Sequence, residues 1–234
     1  VVSPDNNWLA FGVYTESRRI YDIYFKNLKT GNVISQTISN STGSVAWAND
    51  NKTVFYTSKN QTTLLGEKIW RHKVGEKSDD KLMYHEKDDT FYNGVYRSKS
   101  GKFIIIYHSS TLISDYQILN ADNPDGIFKR FTPRDFNHEY SIDHFDDKFY
   151  IITNWKAENN RLMETSDQKT SILNWKEVIP HRKDVHLLSI EIFTNHLVIS
   201  ERKNGLRELR IINQGSGEDS YIDFGEDTYT SWIS

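Results

Sequence analysis

The chain has 234 residues, 26% of them charged, a formal net charge of −3 and no cysteine. Its longest uninterrupted apolar stretch is residues 103–107, far below the roughly 20 residues that a membrane helix needs. These features exclude a membrane-spanning helix, a disulfide, a thiolate zinc site and a thiol nucleophile, and they predict no membrane and no nucleic-acid partner.

Short runs of bulky apolar residues, each preceded by a polar turn, recur at a nearly constant spacing. Aligned on Trp8, Val54, Phe103, Phe149 and Leu197, the five runs are separated by 46, 49, 46 and 48 residues. A repeat of about 40–50 residues is typical of propeller blades. We therefore predict five related units, each built around one of these anchor strands.

Three further strand-like runs accompany each anchor strand. In the first units, residues 22–25 and 32–34 follow the anchor at Trp8, and residues 44–47 precede the anchor at Val54. No stretch keeps the apolar spacing of an amphipathic helix over three turns. The pattern predicts an all-β fold, a β-propeller of four-stranded blades, with about five blades' worth of strands in this chain.

Asn, Asp and Gly occupy the short segments that join the strands, as tight hairpins require. The predicted blades are 1–43, 44–93, 94–139, 140–186 and 187–228, with 229–234 starting or closing a blade. The first unit begins at its anchor strand, so the terminal run at 229–232 would complete it if the ring closes. The alternative is an open arc of a larger propeller, whose edge strands would pair with another molecule and cause self-association.

Several segments have distinctive amino-acid sequences, which occur in a characteristic order and spacing along nearly the whole chain. They are residues 24–31, 47–56, 69–72, 86–92, 138–144 and 201–206. Together these segments resemble the propeller of the prolyl oligopeptidase family of serine peptidases, and within it the oligopeptidase B (protease II) group.

The resemblance implies a seven-bladed propeller that caps an α/β-hydrolase domain and restricts access to short peptides. By that comparison the chain is a fragment of a serine-type oligopeptidase that cleaves after Arg and Lys. The family's catalytic residues lie in the hydrolase domain, which the chain does not include. The segment itself is therefore expected to be inactive. Its expected partners are the hydrolase domain of the same protein and short basic peptides.

The sequence offers no catalytic or metal motif of its own. It contains no Gly-x-Ser-x-Gly nucleophile elbow, no His-Glu-x-x-His and no phosphate-binding Gly-x-x-x-x-Gly-Lys. Its eight histidines are scattered over different strands and loops. We therefore predict no catalytic residue, no metal site and no cofactor in this chain.

The connections from the outermost strand of one blade to the innermost strand of the next carry an excess of acidic residues. In a propeller these connections share one face of the disc, and in the resembled family that face lies toward the hydrolase domain. The candidate residues for substrate gating and interdomain contact are Asp88, Asp89, Asp135, Glu139, Asp184, Glu226 and Asp227. We expect this acidic rim to contact basic groups and to attract cationic peptides, whereas a plain solvated face is the alternative.

Two other classes of function stay open at this point. One is a stand-alone interaction scaffold of the WD-repeat or TolB type, which the lack of an active-site motif favours. The other is a propeller glycosidase, which would need paired carboxylates across a central pocket. The absence of cysteine is compatible with a reducing compartment, so we expect a cytoplasmic location, with the periplasm as the alternative.

Overall fold

The computed structural model describes residues 1–14, 18–135 and 137–233, and its regular elements are almost all strands. Eighteen strands form four antiparallel sheets, and the only helical element in these residues is a 3-10 turn at Ile172–Asn174. The all-β prediction is therefore confirmed. Within the same residues, no helix has the length and apolar character needed to cross a membrane. The chain divides into unit 1 (Val1–Arg134) and unit 2 (Asp135–Ser234).

Unit 1 contains a six-stranded and a four-stranded sheet, and neighbouring strands in each sheet follow one another in the chain. The strands of the first sheet are β1 (Trp8–Val13), β2 (Tyr21–Asn27), β3 (Val33–Trp47), β4 (Thr53–Lys59), β5 (Gly66–Lys73) and β6 (Lys81–His85). Those of the second are β7 (Tyr92–Arg97), β8 (Phe103–Ser109), β9 (Ser114–Asn120) and β10 (Lys129–Arg130).

The long strand β3 differs from the sequence prediction, which placed two separate strands at 32–34 and 44–47 with a connection between them. The structure has one bent strand, whose first half pairs with β2 and whose last residues pair with β4. Positive φ angles at Asn40 and Gly43, and a register shift between Ser41 and Val45, make the bend. Hydrogen bonding therefore continues across the predicted connection.

Unit 2 contains two four-stranded sheets with the simple order that the repeat predicts. The first consists of β11 (Tyr140–Phe145), β12 (Lys148–Thr153), β13 (Arg161–Ser166) and β14 (Lys176–Ile179). The second consists of β15 (Val185–Ile192), β16 (His196–Lys203), β17 (Leu206–Asn213) and β18 (Asp219–Tyr221). All five anchor runs lie in strands, at β1, β4, β8, β12 and β16.

The two ends of the described chain also depart from expectation. Residues 1–3 pair with the first half of β1, because Ala10 donates its N–H to the Val1 carbonyl at 2.9 Å and Val2 bridges Leu9. The first unit thus has part of the inner strand that it was expected to lack. Residues 229–233 form no strand, and the Ser231 hydroxyl donates to the Arg207 carbonyl at 2.9 Å. The prediction of a strand at 229–232 was therefore wrong. A role of residues 229–234 in starting or closing a blade stays a prediction.

Apolar faces of neighbouring sheets bury one another within each unit. In unit 1, Phe55 of β4 belongs to one core with Ile104 and Ile106 of β8. In unit 2, Ile152 of β12 belongs to one core with Ile199 of β16. This packing explains why the anchor strands are continuous apolar runs, since both of their faces are covered.

The hairpin turns have the backbone conformation that their residues suggested. Asn51, before β4, and Asp146, before β12, both have a φ of 59°, in the left-handed region that Asn and Asp tolerate. These turns return the chain tightly, so the longer connections leading to β7, β11 and β15 lie at the opposite strand ends. The candidate site lies at those opposite ends.

Candidate functional site

The connection from β6 to β7 in unit 1 carries two of the predicted acidic residues and is here called the acidic loop (residues 86–91). Asp88 and Asp89 are both exposed at its tip. Asp88 accepts hydrogen bonds from the hydroxyl and the N–H of Thr90, at 2.6 and 3.0 Å. These bonds lower the pKa of Asp88 below the ordinary value of an aspartate.

The acidic loop lines a pocket of about 320 Å³ in unit 1. Four carboxylate residues line this pocket, Glu67, Glu86, Asp88 and Asp89, with the apolar side chains Leu65 and Phe91. A hydrogen bond from Asn60 lowers the pKa of Glu67. Glu67 pairs with Lys68 at 3.3 Å and Glu86 pairs with Arg134, so Asp88 and Asp89 are the carboxylates through which this concave surface attracts cations.

Behind the acidic loop, two buried carboxylates, Glu86 and Asp115, form a charge cluster with the partly buried Arg134 and the exposed Arg130. The side chains of Glu86 and Asp115 are only 8% and 0% exposed. Arg134 contacts Glu86 at 2.7 Å and Asp115 at 3.1 Å, and Arg130 pairs with Asp115. Two arginines balance two carboxylates, so the cluster is neutral as a whole.

Opposing effects act on the protonation of this cluster. Burial would raise the pKa of Glu86, but hydrogen bonds from Arg134 and Tyr84 outweigh burial and lower it. Burial would likewise lower the pKa of Arg134, and its bond to Glu86 raises it. Both groups therefore stay charged, and their charges cancel locally. The carboxylates of Asp88 and Asp89 stay exposed at the loop tip, next to Lys87.

A chain of neutral hydrogen bonds holds the other end of the acidic loop. Asn93 donates from Nδ2 to the Phe91 carbonyl at 3.2 Å, and its Oδ1 bonds Nδ1 of the buried His108. Nε2 of His108 lies 3.0 Å from Nε2 of Gln117. With His108 neutral, Nδ1–H donates to Asn93 and Nε2 accepts from Gln117. The loop is thus anchored to strands β7, β8 and β9.

Unit 2 has a second buried charge cluster at equivalent strand ends. Glu201 of β16 is completely buried and pairs with Arg182, which lies just before β15. Tyr221 donates its hydroxyl to Glu201 at 2.9 Å, and Arg210 lies 3.5 Å from the same carboxylate. The positive charge of Arg182 is therefore compensated within unit 2 by the carboxylate of Glu201.

The other predicted site residues lie at exposed positions of unit 2. Asp135 and Glu139 precede β11, Asp184 precedes β15, and Glu226 and Asp227 follow β18. Asn154 holds the backbone of Glu139, whose N–H donates to Asn154 Oδ1 at 2.9 Å. The structure brings Asp88 and Asp89 together in one loop. The interdomain and gating roles of all seven residues stay a prediction.

Sequence reasoning missed the residues that support the acidic loop, Glu86, Asp115 and Arg134. One signal was present, because Asp115 and Glu201 interrupt strand-like apolar runs, and a buried charge needs a partner. The identity of that partner was not readable. In the described residues, no group of three or more metal-binding side chains is close enough to hold an ion.

Comparison with known proteins places the whole chain in one family. The family model described as "Prolyl oligopeptidase, N-terminal beta-propeller domain" matches residues 1–234. Dipeptidyl aminopeptidase BI of Pseudoxanthomonas mexicana is 37% identical over 100% of this chain and 32% of that protein. Protease 2 of Moraxella lacunata is 30% identical over 98% of this chain and 33% of that protein.

Solved structures agree with the family model. Oligopeptidase B from Leishmania major has a TM-score of 0.88 at 24% identity, covering 97% of this chain and 33% of that one. Oligopeptidase B from Trypanosoma brucei with covalently bound antipain has a TM-score of 0.84 at 26% identity, covering 98% and 33%. The chain spans about a third of the length of the relatives it matches. Its strand repeat, its stacked sheets and the match along its full length show that it belongs to the N-terminal β-propeller domains of the prolyl oligopeptidase family.

Proposed function

We propose that this chain is the access-restricting propeller of a serine oligopeptidase that cleaves short peptides after Arg and Lys. The observation that supports the proposal is the match of the family model along residues 1–234. The chain also covers only about a third of the length of each of the two relatives. The 30% identical relative is named Protease 2. The remaining two thirds of such a protein would hold the catalytic hydrolase domain.

In this proposal the propeller contributes no catalytic group. The sequence lacks a nucleophile elbow, and the side chains around the acidic loop form salt bridges and hydrogen bonds with one another. The propeller would contact the hydrolase domain and restrict which peptides reach it. Function then depends on the shape and charge of its surface.

The preference for basic peptides is supported by the distribution of charge at the strand ends. Arg134 in unit 1 and Arg182 in unit 2 each form an ion pair with a buried carboxylate of their own unit, Glu86 and Glu201. The exposed carboxylates of Asp88 and Asp89 then dominate the loop tip. A cationic peptide is attracted over a distance of about 10 Å at 0.1 M salt, and over only about 3 Å at 1 M.

Neutralising the loop tip tests the proposal in the full-length protein that contains this chain. The double substitution Asp88→Asn and Asp89→Asn should lower kcat/KM for Arg and Lys substrates about two- to fivefold at low salt, because electrostatic attraction acts on the encounter. The turnover number kcat should stay close to its original value. The measurement is steady-state kinetics across a salt series.

A matched control is the double substitution Glu76→Gln and Asp79→Asn in the β5–β6 loop. Both residues are exposed in unit 1 but lie at the opposite strand ends. They should leave kcat/KM unchanged. Equal kcat/KM values for the Asp88/Asp89 variant and the original protein at low salt would contradict the proposed role of the acidic loop in attracting basic substrates.

A second candidate activity is release of dipeptides from peptide N-termini. The 37% identity to a protein named dipeptidyl aminopeptidase BI favours it. Both activities belong to peptidases and place the same demands on an access-restricting propeller. Mass spectrometry of the products from a basic peptide, with its N-terminus free or acetylated, separates the two.

A further inference from the structure

We infer that Arg134 is a positioning residue that holds the acidic loop in one conformation. The contacts alone support this inference, and only its consequence for substrate capture rests on the proposed function. Arg134 is the last residue of unit 1 and lies 43 or more positions along the chain from every residue of the loop. Its guanidinium nevertheless reaches both ends of that loop.

The contacts of Arg134 include the first and the last residue of the loop. Nη2 lies 2.7 Å from Oε2 of Glu86, the first residue. The guanidinium carbon lies 4.1 Å from the ring centroid of Phe91, the last residue, which is a cation–π contact. Nε lies 3.1 Å from Oδ2 of the buried Asp115, so strand β9 fixes the guanidinium itself.

The carboxylate of Glu86 passes this restraint to the loop backbone. Its Oε1 accepts the N–H groups of Lys87 at 3.1 Å and Asp88 at 3.2 Å. Its Oε2 accepts the Tyr84 hydroxyl at 2.8 Å as well as the bond from Arg134. Glu86 therefore orients the backbone that leads to the exposed carboxylates. Loss of Arg134 would leave this buried carboxylate without its charge partner and free to turn toward water.

A separate set of bonds keeps the far end of the loop in place. Asn93 binds the carbonyl oxygens of Phe91 and Gly66, and His108 orients Asn93. None of these three bonds involves Arg134. Removing Arg134 should therefore release residues 87 and 88 first, while the end at Phe91 stays attached to β7.

Hydrogen exchange in the full-length protein tests the inference directly. In Arg134→Gln, the Glu86 carboxylate is free to turn toward water, so the amides of Lys87 and Asp88 lose their charged acceptor. Because bonds to a charged acceptor are the stronger ones, these two amides should exchange at least about tenfold faster. The amides of β8 should keep their protection. Arg134→Lys should restore part of the loop's protection, since its ammonium can pair with Glu86 but cannot bridge to Asp115 in the same planar geometry.

The matched control is Arg182→Gln in unit 2. Arg182 also pairs with a completely buried carboxylate, Glu201, and both residues belong to unit 2. It should reduce overall stability while the amides of residues 87 and 88 keep their protection. Unchanged exchange at residues 87 and 88 in Arg134→Gln, or equal acceleration in Arg182→Gln, would overturn the inference.

Two further measurements cover the remaining outcomes. If Arg134→Gln does not fold, Phe91→Leu removes the ring contact without stranding a charge. That variant should accelerate exchange at residues 87 and 88 to a smaller extent, and no change would count against the inference. If Arg134→Gln frees the loop but kcat/KM for Arg substrates at low salt does not fall, the positioning role is supported. The proposed substrate capture by the loop would then be contradicted.

Discussion

His108 in strand β8 shows how a buried group is held in one protonation state. Burial lowers its pKa to about 3, and the positive charge of Arg134 acts in the same direction. Asn93 and Gln117 occupy its two ring nitrogens, and both can bond a neutral imidazole. The ring is therefore neutral throughout the physiological range, and its tautomer is defined by its neighbours.

The free energy of unfolding should depend on pH through His108. The unfolded chain binds a proton near pH 6.5 and the folded chain does not until about pH 3, so stability is complete above pH 6.5. It should decrease as the pH falls toward 3, by up to about 1.4 kcal/mol per pH unit. Urea unfolding between pH 4.5 and 7.5 measures the slope.

Two variants isolate this contribution. His108→Gln can bond Asn93 and Gln117 but cannot be protonated, so its stability should vary less with pH between 4.5 and 6.5. His196→Gln removes an exposed histidine and should keep the original slope. Parallel curves for the original protein and His108→Gln would show that His108 is protonated equally in both states.

At the scale of elements, strand β3 depends on a close approach between two glycines. A Cβ on Gly12 of β1 would lie 2.6 Å from the Gly43 carbonyl oxygen and 2.7 Å from the Gly43 Cα. Gly43 has a φ of +90° and forms the bend at which β3 leaves β2 for β4. The six-stranded sheet therefore requires a residue without a side chain in β1.

Gly12→Ala should destabilise the protein by about 1–3 kcal/mol, the usual cost of overpacking, because backbone atoms cannot move aside as a side chain can. Gly215→Ala is the control, since its nearest neighbour would be 3.5 Å away, and it should change stability by less than about 0.5 kcal/mol. Chemical unfolding measures both. Equal stability of the two variants would show that β1 can move away from β3 without cost.

At the scale of the whole molecule, the proposed division between this propeller and a separate catalytic domain makes a simple prediction. The 234-residue chain, purified by itself, should hydrolyse neither ester nor amide substrates of Arg and Lys. The reason is that no nucleophile elbow is present to activate a serine. A chromogenic assay against the full-length protein measures it. Turnover that co-purifies with the chain through successive columns would contradict the proposed division.

The amino-acid sequence by itself determined the all-β class, the repeat and the place of the anchor strands. Apolar periodicity and turn residues are local properties, so Val54 and Phe103 identify strands β4 and β8 without any partner. The same local reasoning failed at β3 and at 229–232. A segment forms a strand only where a neighbouring strand is present to accept and donate its backbone hydrogen bonds. The local sequence does not specify which segment that neighbour is.

Only the tertiary structure decided how the candidate site is supported. Glu86 and Arg134 are 48 residues apart, and their contact exists because sheet register and stacking bring the β6–β7 connection beside the end of unit 1. The sequence shows where charged residues are but not which of them pair. Asp88 and Asp89 were therefore predictable as exposed carboxylates, whereas the role of the partly buried Arg134 behind them was not. Pairing of charges so far apart in the chain is a property of the packed molecule. It requires folding to bring two distant segments into contact, where both charged groups lose their hydration.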